Sequence, residues 1–177
     1  PEGLPSTAAG IYGYLGYEMV RLMETLPDNN PDTMGLPDAI LMRPSVLAIF
    51  DTLKDELYLT APVYIRPGVN ARQAWESAQA RIDDATARLG RTLPYAAGLP
   101  DAEGVAVTSN TSAAEYAAMV DRAKAYIRAG DIFQVVLSQR FEAEFTLPAT
   151  TLYRALRRTN PSPYMYLLEF GDFSVAG

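Results

Sequence analysis

Pairs of short apolar segments, each pair separated by a brief polar turn, limit this chain to folds that contain antiparallel hairpins. Residues 44–51 and 56–63 are rich in β-branched, aromatic and other apolar residues, a composition that favours strands. Residues 164–176 repeat this arrangement around Gly171 and Asp172, and so short a turn can join only antiparallel neighbours. We therefore predict two hairpins, and the apolar content of the first predicts that both of its faces are largely covered.

The first predicted helix begins after Asn70, which forms a capping-box signature with Gln73, and ends before Gly90. Apolar residues recur in it at alternating offsets of four and three, a spacing typical of one buried helix face. They are Ala71, Trp75, Ala78, Ile82, Ala85 and Leu89. This pattern predicts that Trp75 packs in the core and that the charged residues opposite, Arg81 among them, are solvated.

Two further helices are predicted downstream. Ser112 and Glu115 form a second capping box, and the helix that they begin ends before Gly130. Its predicted buried stripe is Tyr116, Val120, Ala123 and Ile127. A third helix is predicted at about 150–158. Proline and glycine interrupt residues 91–110, so we predict a connector there that crosses the surface.

Three glycines near the beginning of the chain predict a buried strand or bend that another backbone or an aromatic ring approaches closely. Gly10, Gly13 and Gly16 recur every three residues, a spacing that differs from the dinucleotide fingerprint G-x-G-x-x-G. Glycine in a strand or bend lets another backbone or an aromatic ring come near. A short helix is predicted to follow, from residue 17 to about residue 26.

The order of these elements favours an α+β fold in which helices pack on a mainly antiparallel β-sheet. We interpret residues 1–177 as one partial domain. The last predicted strand is still apolar where the sequence stops, whereas natural domains usually end in a polar tail. We therefore expect the chain to be a fragment.

The composition excludes several classes of site. The sequence has neither His nor Cys, which rules out imidazole bases, thiolate metal ligands and both Ser-His-Asp and Cys-His mechanisms within it. Lys and Arg number 15 against 21 Asp and Glu, for a net charge of -6, which argues against a nucleic-acid partner. No apolar run approaches the roughly 20 residues that span a bilayer. We expect a cytoplasmic protein that does not bind membranes.

Two segments place residues where simple packing does not require them. Residues 131–145 alternate as a strand, and one of its faces carries Gln134, Ser138 and Arg140 among Val and Ile. That face is either exposed or lines a cavity for a small anion. Residues 160–165 hold two prolines, then a tyrosine and a methionine, which form either a plain turn or a rigid wall for an apolar or aromatic ligand.

These two segments carry a resemblance to a known family. Residues 130–141, GDIFQVVLSQRF, and residues 160–165, NPSPYM, followed by FSVAG at 173–177, resemble anthranilate synthase component I among the chorismate-utilising enzymes. The likeness covers almost the whole chain from GYLGYE at 13–18 onward. Aminodeoxychorismate synthase component I shares the first string and typically departs from the second, so the second string decides between them.

The resemblance implies an activity for the parent enzyme, which is a lyase of tryptophan biosynthesis. It joins ammonia, supplied by a glutamine amidotransferase subunit (component II), to chorismate on Mg²⁺, and then eliminates pyruvate to leave anthranilate. Gln134 occupies the position of a general-base Lys in relatives that use water, so a catalytic role in positioning ammonia is implied for it. Tryptophan inhibits the family, and its pocket maps to Pro163, Tyr164 and Met165.

The resemblance also implies what this sequence lacks. The Mg²⁺ ligands and the catalytic half of the family's fold are expected to lie beyond residue 177, so no metal ligand is assigned here and the chain alone is predicted to be inactive. The Leu-Leu-Glu-Ser wall of the tryptophan pocket does not occur in this sequence. The alternatives are aminodeoxychorismate synthase component I and a non-catalytic tryptophan-binding regulatory module.

Overall fold

The computed structural model describes residues 3–64, 66–93 and 104–177, and within these ranges the chain mixes helices with short antiparallel strand pairs. Its contacts divide it into two units, Pro1–Tyr95 and Ala96–Gly177. The strands of unit 1 are β1 Tyr12–Leu15, β2 Ala39–Met42, β3 Leu47–Asp51 and β4 Glu56–Thr60, with 3-10 helices at Ser6–Ala9 and Tyr17–Leu22 and helix α1 at Ala71–Leu89. The elements of unit 2 are β5 Val107–Ser109, α2 Ala113–Ala129, β6 Phe141–Ala143, α3 Ala149–Thr159, β7 Leu167–Glu169 and β8 Ser174–Ala176.

The β1–β2 pair confirms the close backbone approach that the glycines predict. A Cβ atom on Gly13 would lie 1.8 Å from the carbonyl oxygen of Ile40, and the φ of Gly13 is +155°. The backbone N–H of Gly16 donates to the carbonyl of Asp38 at 2.7 Å. The helix predicted to follow is a 3-10 helix that ends at Leu22, about four residues earlier than predicted.

The β3–β4 pair confirms the first predicted hairpin. The turn is closed by Asp51, whose Oδ1 accepts hydrogen bonds from the backbone N–H groups of Leu53 and Lys54, both at 3.1 Å. The prediction that both hairpin faces are covered is wrong. The cross-strand pair Phe50 and Leu57 is exposed, because the described contacts to this hairpin come from α1 on β4 and from the first 3-10 helix on β3.

Helix α1 begins and ends as predicted, but its buried stripe is shorter. Asn70 Oδ1 accepts from the backbone N–H of Gln73 at 2.8 Å. Ala78 is buried in the middle of the helix, whereas Trp75 is 62% exposed, so its predicted place in the core is wrong. A helix of 19 residues is about 28 Å long, and the five residues of β4 span about 17 Å, too little to cover the helix along its length.

Arg81 of α1 is half-buried, not solvated as predicted. Its Nε donates to the carbonyl of Ser45 at 3.2 Å, its Nη1 to Ser77 Oγ at 2.9 Å and its Nη2 to the carbonyl of Pro62 at 3.4 Å. Arg81 directly precedes a stripe position, so its long side chain can lie along the buried edge of the helix.

In unit 2 the capping box of α2 is reciprocal, as predicted. Ser112 Oγ accepts from the backbone N–H of Glu115 at 3.2 Å, and Glu115 Oε2 accepts from the backbone N–H of Ser112 at 2.8 Å. Gly130 ends the helix with φ +83°, in the left-handed region that glycine favours. Ala123 of the predicted stripe is buried, but Ile127 is exposed.

The strand predicted at 131–145 is largely absent from the described structure. Only Phe141–Ala143 is a strand, paired with Val107–Ser109, and residues 132–140 belong to no helix or strand. A strand needs a neighbouring strand to satisfy its backbone hydrogen-bonding groups. The three residues of β5 pair only with Phe141–Ala143 in the described structure. Residues 107–109 of the predicted connector at 91–110 form strand β5. Residues 94–103 of that connector lie outside the described residues.

The third helix and the turn of the final hairpin agree with the prediction, whereas strand β7 begins at Leu167, three residues later than predicted. Helix α3 extends one residue beyond each predicted end and contacts both β7 and β8. The turn at Gly171, whose φ is +94°, has two residues, and the backbone N–H of Phe170 donates across it to the carbonyl of Phe173 at 3.0 Å. The rings of Phe170 and Phe173 lie 5.1 Å apart.

Few side chains are removed from water. Among the described residues the buried hydrophobic ones are Ala8, Ala78 and Ala123, and no large side chain is fully buried. The described strands form separate two-stranded ladders rather than one continuous sheet, and α1 contacts β4 while α3 contacts β7 and β8. No helix within the described ranges is both long and apolar enough to cross a membrane.

Candidate functional site

The segment that carries Gln134 leaves α2 at Gly130 and is fastened at its far end. Asn110 and Arg140 exchange hydrogen bonds, from the backbone N–H of Asn110 to the carbonyl of Arg140 at 3.0 Å and from the N–H of Arg140 to Asn110 Oδ1 at 2.9 Å. Tyr116 Oη lies 3.5 Å from the carbonyl oxygen of Leu137. The segment is thus held from residue 137 onward by α2 and by the residues that follow β5.

Gln134 lies in the part of this segment that precedes those contacts. It is exposed, and within the described chain no hydrogen bond holds its amide. Its neighbour Phe133 is 92% exposed and Val136 is exposed as well. An amide offers two donors and one acceptor without charge, so Gln134 can hold a neutral nucleophile by hydrogen bonds alone.

The rest of the predicted polar face is only partly free. Ser138 is exposed and Arg140 is half-buried. Arg140 Nε lies 2.8 Å from Glu142 Oε1, so its charge is balanced locally. The described contacts leave Gln134 and Ser138 as the members of this face that can meet a ligand without first breaking an ion pair.

The turn with Pro163, Tyr164 and Met165 lies between α3 and β7. Tyr164 is 90% exposed, whereas Met165 is half-buried. The chain is fixed directly after the turn, since the N–H of Tyr166 donates to the carbonyl of Gly177 at 2.8 Å and the N–H of Gly177 donates back at 3.1 Å. The turn offers an aromatic ring and a thioether on a fixed base, which suits an apolar or aromatic ligand.

The structure places both candidate sites, Gln134 and the turn at 163–165, in unit 2, where they follow different helices. Gln134 follows α2, and the turn follows α3. No hydrogen bond joins them in the part of unit 2 that the structure describes. Pro163, Tyr164 and Met165 are brought together by their own turn, but the described contacts do not bring Gln134 to them.

Comparison with known proteins decides the family. The family described as chorismate binding enzyme matches residues 1–177, the whole of the chain. The chain belongs to the chorismate-binding enzymes.

Relatives of this chorismate-binding chain are considerably longer than it is. Anthranilate synthase component 1 of Cereibacter sphaeroides is 50% identical over 100% of the chain and 36% of the relative, and that of Thermus thermophilus is 43% identical over 96% of the chain and 35% of the relative. The crystal structure of anthranilate synthase component I from Streptococcus pneumoniae matches 100% of the chain and 39% of that protein, with a TM-score of 0.81 and 31% identity. The chain spans little more than a third of the length of these relatives.

The described residues of this chorismate-binding chain offer no cluster of three potential metal ligands from which a Mg²⁺ site could be assigned. Among the residues that the structure describes, no three carboxylates stand close enough together to hold a metal ion. Mg²⁺ takes near-octahedral oxygen ligands and is usually held by one or two carboxylates together with substrate and water. We therefore derive no step through a metal from these residues.

Sequence reasoning missed one concave feature of the chorismate-binding chain. A cleft in unit 1 beside α1 is lined by Arg43, Arg66 and Arg81. The pattern assigned Arg81 to the solvated face, and the other two arginines lie outside any periodic element. The sequence feature that could have indicated a half-buried Arg81 is its position between two residues of the predicted buried stripe, Ala78 and Ile82.

Proposed function

We propose that the chain is a section of the aminase subunit of an anthranilate synthase. The whole protein would convert chorismate and ammonia to anthranilate and pyruvate, a lyase reaction of tryptophan biosynthesis in the cytoplasm, with ammonia delivered from glutamine by a component II subunit. The observation that carries this proposal is the match to proteins named anthranilate synthase component 1 over the full chain, at up to 50% identity among those compared.

The same match favours this reading over aminodeoxychorismate synthase component I and over a free-standing regulatory module. The relatives compared carry the anthranilate synthase name and match 96 to 100% of the chain, and residues 160–165 of this sequence hold the string that the alternative enzyme typically alters. A regulatory module would require the chain to act alone, whereas the chain covers only 36% of the first of these relatives.

Gln134 is proposed to position ammonia. Ammonia is already a nucleophile, so it needs hydrogen bonds that orient it toward chorismate rather than a general base. The exposed amide of Gln134 supplies donors and an acceptor and adds no charge. A Lys at this position would instead be suited to take a proton from water, as the relatives that use water require.

Pro163, Tyr164 and Met165 are proposed as one wall of a tryptophan site that inhibits the enzyme. Tyr164 presents an uncovered ring and Met165 a partly covered thioether, both suited to an indole. The turn has no charged side chain to hold an amino-acid carboxylate. The remaining contacts to tryptophan would come from residues outside residues 160–165.

The uncovered apolar faces of the chain fit the same proposal. Exposed Phe50, Phe133 and Val136 are too apolar for a solvent face of a finished domain. We propose that the rest of the parent protein covers these residues. In the complete protein the helices would then pack on a mainly antiparallel β-sheet. The Mg²⁺ ligands would come from the part of the parent protein that lies outside this chain.

Product identification with the longer protein tests the proposal. The parent protein is incubated with chorismate, an ammonium salt and Mg²⁺, and the product is identified by mass. Anthranilate with pyruvate is expected. A product that retains the chorismate side chain would mean aminodeoxychorismate synthase, and no product with either ammonia or glutamine and component II would refute a synthase role.

A further inference from the structure

A cleft in unit 1 concentrates positive charge without a carboxylate to balance it. The cleft lies between the first turns of α1 and the residues that follow β4, and its volume is about 400 Å³, within the range of small-molecule sites. Its described lining includes Arg43, Arg66 and Arg81 and no Asp or Glu. This contrasts with the net charge of -6 of the whole chain.

The guanidinium of Arg81 is fixed in the wall of this cleft by neutral groups. Its three hydrogen bonds go to two backbone carbonyls and to the hydroxyl of Ser77, at 2.9 to 3.4 Å. A guanidinium has five N–H donors, so two donors and the full positive charge are left over by the described contacts. The side chain is thus oriented before any ligand arrives, which lowers the entropy cost of binding one.

The other two arginines leave their charge unpaired as well. The guanidinium carbon of Arg43 lies 5.3 Å from the centre of the Tyr64 ring, a cation–π contact that orients the group and keeps its charge. Arg66 is exposed. Among the described residues, none of the three cleft arginines forms an ion pair.

Arginines elsewhere on α1 show the opposite arrangement. Arg72 pairs with Glu76 at 2.9 Å and Arg88 pairs with Asp84 at 2.8 Å, each four residues away along the helix. Arg81 has no such partner although it lies between them. Three like charges in one concavity repel one another, and an anion bound among them would relieve that repulsion.

We infer that this cleft is a binding site for a small organic anion that carries a carboxylate or phosphate group. Arginine is the side chain best matched to these groups, because its planar fork can donate two parallel hydrogen bonds. The exposed Tyr64 ring and Val69 supply an apolar wall for the body of the ligand. This site is independent of Gln134 and of the turn at 163–165.

NMR titration of the arginine Nε–H signals tests the inference at low salt. Inorganic phosphate and benzoate are titrated separately into the 177-residue chain, as probes of the phosphate and carboxylate classes. We expect a saturable shift of the Arg81 signal with at least one probe, and the probe that binds identifies the class. Arg43→Gln and Arg66→Gln are each expected to weaken that binding at least fivefold.

Arg72→Gln is the matched control, since it removes the same charge from α1 outside the cleft. It should change the affinity less than twofold. The inference is overturned if neither probe gives saturation or if Arg72→Gln weakens binding as much as the cleft variants. It is also overturned if the longer parent protein does not bind a probe that the 177-residue chain binds, because the cleft would then be filled by the protein itself. None of these readouts depends on anthranilate formation.

Discussion

Gln134 presents an uncharged amide to solvent beside two exposed apolar side chains, Phe133 and Val136. In the longer protein we expect Gln134→Lys to lower ammonia-dependent anthranilate formation at least tenfold, or about 1.4 kcal/mol in barrier height. A Lys brings a positive charge and a stem that competes with ammonia for the same space. The rate is measured from anthranilate fluorescence at saturating chorismate.

Gln79→Lys is the charge-matched control for that variant. Gln79 lies on α1, where its Nε2 donates to Asp83 at 2.9 Å, and a Lys there can keep a contact with the same carboxylate. The control should retain the parental rate. If Gln134→Lys retains it too, the role proposed for Gln134 is wrong.

Met165 is half-buried in the turn that follows α3. We expect Met165→Ala to weaken tryptophan inhibition about tenfold while the rate without tryptophan stays nearly unchanged, since a partly open contact is worth about 1 to 2 kcal/mol, less than the about 2 to 5 kcal/mol of a packed core position. Tryptophan inhibition curves and ligand-free melting temperatures are measured on the same preparation.

Met119→Ala separates a ligand contact from ordinary packing. Met119 is half-buried on α2, outside the turn, so its truncation should lower the melting temperature and leave the inhibition constant alone. Should Met165→Ala behave like this control, Met165 is a packing residue and not part of a tryptophan site.

The capping box of α2 makes one element sensitive to pH. Hydrogen bonds from the backbone N–H of Ser112 and then from its hydroxyl hold the pKa of Glu115 below its ordinary value. A carboxyl whose pKa is lower in the folded state adds stability above its ordinary pKa of about 4.3 and loses it as the pH falls through the folded value.

Glu115→Gln isolates this charge-dependent contribution, because Gln keeps an oxygen acceptor at the same position. We expect the variant to melt a few degrees below the parent chain at pH 7 and the difference to shrink at about pH 2.5, as the carboxyl of the parent chain takes up its proton. Melting followed by circular dichroism at both pH values checks this. An equal difference at both would show that the charge of Glu115 has no part in capping.

Helix boundaries and tight turns could be predicted because the groups that fix them are close in sequence. Asn70 reaches Gln73, Ser112 reaches Glu115, and Gly171 supplies the left-handed residue of a two-residue turn. Each depends on backbone groups three or four residues away. The first residues of α1 and α2 and the turn at Gly171 therefore lie where the sequence pattern predicts them.

The segment 131–145 could not be predicted in the same way, because a strand depends on a neighbour that may be distant in sequence. Its alternation is clear, yet only Phe141–Ala143 finds a partner among the described residues. The prediction that Trp75 is buried was wrong for the same reason, because its burial depends on which distant part of the chain packs against α1. Gln134 and the turn at 163–165 could be singled out by sequence, whereas the arginine cleft needed the fold.

At the scale of the whole molecule, uncovered apolar surface should make the chain self-associate. Phe133 and Val136 are exposed three residues apart in a segment that has no strand partner among the described residues, and such surface promotes pairing between copies. Light scattering at increasing concentration should show dimers or larger species. The double variant Phe133→Ser with Val136→Thr should reduce them.

Leu53→Ser is the control for that surface. Leu53 is 95% exposed but lies in the β3–β4 turn, outside residues 131–145, so its replacement should leave association through Phe133 and Val136 unchanged. A clean monomer of the parent chain at high concentration would contradict the expectation, and so would an equal effect of Leu53→Ser.

We expect that the chain, as one section of an anthranilate synthase subunit, cannot complete the chemistry by itself. Anthranilate fluorescence is measured from the purified 177-residue chain and from its longer parent, side by side, with chorismate, ammonium and Mg²⁺. The parent should form anthranilate and the chain alone should form none. Turnover by the pure chain, or none by the parent, would contradict this expectation.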